Sequence, residues 1–172
     1  MRKYLLLAFF SLISLQIANA QCAILGATTV TVLSGSGNGT PGSPYSSGAV
    51  LRYCITIDEY FEDQTNWLHG VYLFPASLPA GATVDSSGNP GSTWIWYSGG
   101  CNGRPAGWYF DEDADNDPCN NVGDDPCGDD PAGPCGRTFC FKITIPLTGT
   151  GVAHQIQVKV TGDGTTGSWI NS

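Results

Sequence analysis

Residues 49–57, AVLRYCITI, set the period on which this chain is built. Leu51, Tyr53, Ile55 and Ile57 fall on one side of an extended backbone, and Arg52, Cys54 and Thr56 on the other, because successive strand side chains point to opposite faces. Apolar residues at a spacing of two, rich in β-branched and aromatic types, predict a half-buried strand. Residues 137–145, RTFCFKITI, repeat the pattern: Phe139, Phe141, Ile143 and Ile145 share one face, with Cys140, Lys142 and Thr144 opposite. Cys54 and Cys140 therefore both lie opposite the apolar face of their own strands. If those strands are neighbours, the two thiols meet across the sheet surface.

Outward from these two stretches, the same signal recurs in short pieces. Val30 and Val32 alternate with Thr29 and Thr31. Val71 to Phe74, Ala82 to Asp85, Trp94 to Tyr97 and Trp108 to Phe110 each read as a short strand, and Ile156, Val158 and Val160 alternate inward in a last one. Between them lie turn segments such as SGSGNGTPGSPYSSG, residues 34–48, whose Asn38-Gly39-Thr40 reads as a turn although it has the form of a glycosylation sequon. DEYFEDQTNW, residues 58–67, is polar with scattered aromatics and reads as a connection with room for a short helical turn. Pro75 and Pro79 exclude a continuous helix there, and no window keeps an apolar period of 3.6. Short strands punctuated by Gly and Pro predict an all-β chain: an antiparallel β-sandwich, immunoglobulin-like or jelly-roll, its topology open. A parallel β-helix would need a whole-chain repeat, and the sequence has none.

Residues 1–20 read as a signal peptide. Arg2 and Lys3 precede the apolar run YLLLAFFSLISL, and Ala18-Asn19-Ala20 supplies the small-x-small cleavage site. No later run is long enough to span a bilayer as a helix. The expected mature chain, 21–172, is a single extracellular domain, secreted or held at the cell surface, with an acidic, cysteine-rich loop at 111–137. Its five Lys and Arg against fifteen Asp and Glu leave a charge near -10. That argues against nucleic acid and against anionic membranes, whose binding needs clustered Lys and Arg. Export favours disulfides over zinc or thiol chemistry. Cys22, just behind the cleavage site, reads as a structural cysteine; a lipid acceptor would want small residues directly before it, and Gln21 stands there.

The acidic loop holds two patterns. Asp111, Asp113, Asp115 and Asp117 recur at alternate positions, and Asp124 and Asp125 follow. Alternate carboxylates let a curled loop point several oxygens at one centre, as calcium requires with its roughly six to eight oxygen ligands. These six aspartates are the candidate metal ligands and calcium the expected ion; the bland alternative is a solvated acidic loop. The segment is similar to the start of an EF-hand or a thrombospondin type-3 loop. However, Asn116 replaces the EF-hand's turn glycine and Val122 its bidentate glutamate, so no ligand role is carried over. Further on, Asp117-Pro118-Cys119, Asp125-Pro126-Cys127 and Gly133-Pro134-Cys135 recur every eight residues and read as tight turns, each presenting a thiol. The disulfide set is Cys54, Cys101, Cys119, Cys127, Cys135 and Cys140, with the pairing open.

Sugar rings stack on exposed aromatic faces, so Trp94, Trp96, Trp108 and Tyr109 are candidate carbohydrate contacts. The competing reading places them in the core; in WIWY, alternation sends Trp94 and Trp96 to one face and Ile95 and Tyr97 to the other. His69 reads as a hydrogen-bonded structural histidine. No serine stands in a nucleophile elbow, and pairs such as Asp58 with Glu59 do not by themselves make a glycosidase, so no catalytic residue is assigned and no enzyme is expected.

YCITIDEY, NWLHGV, GWYF, the cysteine-rich acidic insertion, RTFCFKITI and DGTTGSW together resemble modules near the N-termini of large secreted cell-surface proteins of Bacteroidetes bacteria, adhesin-like proteins exported by the type IX route. The likeness spans most of the mature chain. It implies extracellular display, adhesion or assembly with a surface, glycan or protein partner, and no chemistry. Such proteins are similar in ending on a C-terminal sorting domain, which this sequence does not contain.

Overall fold

The computed structural model describes residues 23–60, 68–88, 90–111, 114–119, 134–147 and 156–162. The expected leader, Cys22, Trp67, Cys127, His154 and the 163–172 tail lie outside them. Eight strands are described: β1 (Ala23–Ser34), β2 (Val50–Tyr60), β3 (Leu68–Leu73), β4 (Thr83–Ser86), β5 (Trp94–Tyr97), β6 (Gly107–Phe110), β7 (Pro134–Thr144) and β8 (Val158–Gly162). The only described helix is one 3-10 turn, Pro75–Ser77, at the proline break. Strand order is β1-β2-β7-β4 in one sheet and β5-β6-β3-β8 in the other, with every pairing antiparallel.

One apolar cluster joins the sheets. Leu51, Tyr53, Ile55 and Ile57 of β2 and Phe139, Phe141 and Ile143 of β7 share it with Val71 and Leu73 of β3, Trp94 of β5, Trp108 and Phe110 of β6 and Val160 of β8. Trp94 meets Phe139 edge-on at 4.7 Å between ring centroids, and Trp96 meets Phe141 at 6.1 Å. Edge-to-face contacts suit the ring quadrupoles, and full burial of each large apolar side chain stabilises by about 1.5–3 kcal/mol. The indole N–H of Trp108 donates to the Cys140 carbonyl at 2.9 Å, so the largest polar group entering the core is satisfied. Two antiparallel sheets on one core make a β-sandwich-like all-β fold.

The inward residues of the two deciding stretches are those that alternation selects, and their neighbours face out. Cys54 stands opposite Cys140 in the β2–β7 register, and the two form a disulfide with a Cα–Cα distance of 4.1 Å.

The structure differs from the sequence reading at several points. Asp58, Glu59 and Tyr60 continue β2, because β1 pairs with them as far as Tyr60 opposite Ala23; Tyr60 is buried. The third Pro-Cys copy is no turn. Pro134 opens β7 opposite Glu59, a place where a strand tolerates proline, so the acidic loop ends before 134 rather than at 137. Ile156 precedes β8 but still packs on the core. Val30 is 44% exposed because β1 is a sheet edge. Among the described residues no helix is long and apolar enough to cross a membrane, which says nothing of β-barrels.

Candidate functional site

The two central strands of the second sheet, β3 and β6, are buried on both faces. All six residues of LHGVYL in β3 and all four of GWYF in β6 are buried. The outward side chains Tyr72 and Tyr109 form a separate apolar cluster with Cys101, against which Tyr97 and Cys119 pack. What covers this outer face is the β5–β6 connection and the start of the acidic segment, residues 98–106 and 114–119.

Local chemistry shapes both pieces. Gly100 has φ +67°, and a Cβ there would collide with the Arg104 carbonyl; the Arg104 N–H donates to the Cys101 carbonyl at 2.8 Å, closing the turn. The Tyr109 hydroxyl donates to the Pro105 carbonyl at 2.6 Å. On the acidic side, Asp111 is buried directly after β6; its N–H donates to Thr93 at 2.8 Å and its carboxylate accepts the Asn116 N–H at 3.1 Å. The Asp115 carboxylate accepts the Asp117 N–H at 2.7 Å, and that of Asp117 accepts the Cys119 N–H at 3.3 Å. Such side-chain caps stabilise turns in which Ala114 and Asn116 take φ of 57° and 69°.

Two links tie the acidic turn to the sheet. Cys101 and Cys119 form a disulfide with a Cα–Cα distance of 5.2 Å. His69, fully buried, approaches the Pro118 carbonyl at 2.6 Å through Nε2. A carbonyl only accepts, so Nε2 carries the proton. The His69 ring also lies 5.9 Å from that of Tyr109. Burial pushes the Tyr109 phenol well above its ordinary value and raises Tyr72, against a smaller downward pull from Arg104. Beside the staple lies a cleft of about 600 Å³ lined by Tyr72, Phe74, Pro75, Gly103, Arg104 and Pro105. Phe74 is 39% exposed, with the Lys159 ammonium 5.6 Å from its ring centre.

The structure redistributes the sequence candidates. The described carboxylates Asp111, Asp115 and Asp117 cap backbone amides, and no group of three or more His, Cys, Asp or Glu placed to hold a metal occurs among the described residues. Asp113, Asp124 and Asp125 lie outside them. Trp94, Trp108 and Tyr109 are 1%, 3% and 0% exposed and so offer no open face for a sugar ring; Trp96 is half-buried against Trp108 and Phe141. The expectation of an exposed Trp/Tyr platform is corrected accordingly, and WIWY alternates as expected, with both tryptophans inward. Of the six cysteines, Cys54, Cys140, Cys101 and Cys119 are joined in pairs; the backbone of Cys135 lies in β7.

Sequence reasoning missed His69 as a clamp on Pro118, and the cleft beside Tyr72. A signal was present: WYF places large apolar groups on both faces of a strand, which calls for cover on both sides.

No protein-family profile, curated protein sequence or solved structure matches the chain.

Proposed function

We propose that this chain is a non-enzymatic, secreted surface module for adhesion or extracellular assembly, its contact surface being the stapled platform of residues 98–106 and 114–119. The observation that carries the reading is the Cys101–Cys119 disulfide: it holds a polar, acidic loop in a set shape outside the main core. A rigid loop on a rigid sheet is suited to recognition, since ordering costs are met before a partner arrives. Two disulfides also favour an oxidising compartment, in accord with the leader-like residues 1–20. The finer architecture belongs to the immunoglobulin-like or jelly-roll class, and the resemblance to Bacteroidetes cell-surface modules supports the same role. Calcium held by the acidic run is part of the reading, supported by carboxylate density from Asp111 to Asp125.

The test is binding of the secreted chain to intact cells and to a glycan array, native against a Cys101→Ser/Cys119→Ser variant. Saturable binding to cells that drops in the variant while the sheets keep their circular dichroism supports the proposal. Equal binding by both would overturn it. Glycan recognition is the second reading, favoured by the cleft rather than by the tryptophans. It predicts array binding lost on Phe74→Ala.

A further inference from the structure

The first sheet ends on β1, and β1 is not built like a protected edge. Natural edge strands are blunted by charge, proline, brevity or cover. β1 is 12 residues long, AILGATTVTVLS, without a charged residue or a proline. One of its edges pairs with β2, and among the described residues nothing pairs with the other. Residues 27–31 are all exposed. Val30 stands opposite the core residue Tyr53 in the register, so it points to the inner side, yet it is 44% exposed. The second sheet therefore stops short of β1. Leu33, on the other face, is 53% exposed. Register shifts flank the segment Thr28–Val32, within which pairing to β2 is regular.

We propose that β1 pairs antiparallel with β1 of a second copy of this chain, about a two-fold axis at Val30, joining the two first sheets into one. The occupant follows from the strand's own sequence. Copies of the mature chain, with a charge near -10, repel each other, and uncharged β1 is a long edge that adds nothing to that repulsion. The sequence is self-complementary about Val30. Thr29 then faces Thr31 of the other copy, Thr28 faces Val32, and Val30 faces Val30, pairs of the kind that stabilise sheets. A two-fold contact uses the same patch on both subunits. Residues 27–31 are exposed, so the edge is open to a second copy. This inference supplies a mode of assembly and does not rest on the platform of residues 98–106 and 114–119.

The experiment is sedimentation of the full chain, secreted through its own leader, across a concentration series, native against Val30→Lys. A Lys at the axis faces its own copy across the edge. The expected result is a reversible dimer whose dissociation constant rises about tenfold or more in the variant. Hydrogen exchange gives a readout without substitution: the Thr28–Val32 amides gain protection as concentration rises, at the dimer's own midpoint. A monomer throughout the series, or a dimer indifferent to Val30→Lys with no concentration-dependent protection in β1, overturns the proposal. β1 amides protected only by added foreign protein also overturn it. Cell binding through the stapled platform is read separately and is unchanged by Val30→Lys, so the two proposals fail independently.

Discussion

The outer faces of the two sheets are opposite solutions to the same problem. On the first sheet, outward residues are short or charged and meet water. Thr56 and Thr138 exchange a hydrogen bond at 2.8 Å, and Lys142 pairs with Asp85 at 2.8 Å. The Cys54–Cys140 disulfide lies across two strands that already pair along their length. On β3 and β6 of the second sheet, the outward Tyr72, Tyr109 and His69 are all buried. There the Cys101–Cys119 disulfide joins two loops that form the cover. A cross-link inside a sheet consolidates the fold, whereas a cross-link between loops shapes a surface. The second kind is where recognition can be varied without disturbing the core.

The two disulfides make that contrast measurable. In the chain-entropy account, a cross-link spanning 86 residues is worth about 4.6 kcal/mol and one spanning 18 about 3.2 kcal/mol. Cys54→Ser/Cys140→Ser is expected to lower the whole unfolding midpoint. Cys101→Ser/Cys119→Ser is expected to lower it less and to free residues 98–106 and 114–119 first. Denaturant melts followed at several probes separate the two; identical losses at every probe would remove the distinction. Calcium comes next in size. At a hundredfold excess over its dissociation constant, an ion binding only the native state adds about 2.7 kcal/mol. The melting midpoint under non-reducing conditions should therefore fall on adding chelator, and an unchanged midpoint contradicts the calcium proposal.

Smaller effects separate the faces by pH. Tyr109 is raised by burial from its ordinary 10.0. Its contribution is fully present below pH 10 and is lost as pH rises toward its folded value. Tyr109→Phe should cost about 1 kcal/mol at neutral pH through the lost bond to Pro105 and flatten the alkaline loss in a pH–stability series. On the bare face, a hydrogen bond from Lys142 lowers Asp85 below 3.8. That contribution is present above 3.8 and disappears as pH falls through the lowered value. The pair is exposed, so Asp85→Asn should cost less than about 1 kcal/mol, read from acid denaturation.

The first sheet was legible in the sequence because β2 and β7 alternate cleanly, apolar in and polar out. The Cys54–Cys140 contact was foreseen only on the condition that their strands are neighbours, and the β2–β7 register meets that condition. β3 and β6 of the second sheet were not, because they are apolar on both faces and alternation then carries no direction. Trp108 and Tyr109 both looked available for a sugar; one lies in the main core and the other under the loops. The Asp58–Tyr60 end of β2 was hidden for another reason. Asp58 and Glu59 are polar, and pairing with β1 and with Pro134 of β7 holds this end extended. In the acidic segment, spacing does not reveal the local capping: the carboxylates of Asp111, Asp115 and Asp117 each accept a backbone N–H, while Asp113, Asp124 and Asp125 lie outside the described residues.

The cover over the second sheet is tested most directly by hydroxyl-radical footprinting of Tyr72, Tyr109 and His69 in the oxidised chain and in the Cys101→Ser/Cys119→Ser variant. All three should resist labelling in the native protein and become labelled in the variant, while Phe139 and Phe141 stay protected in both. Labelling of Tyr109 and His69 in the native protein at the rate of exposed side chains would contradict the account.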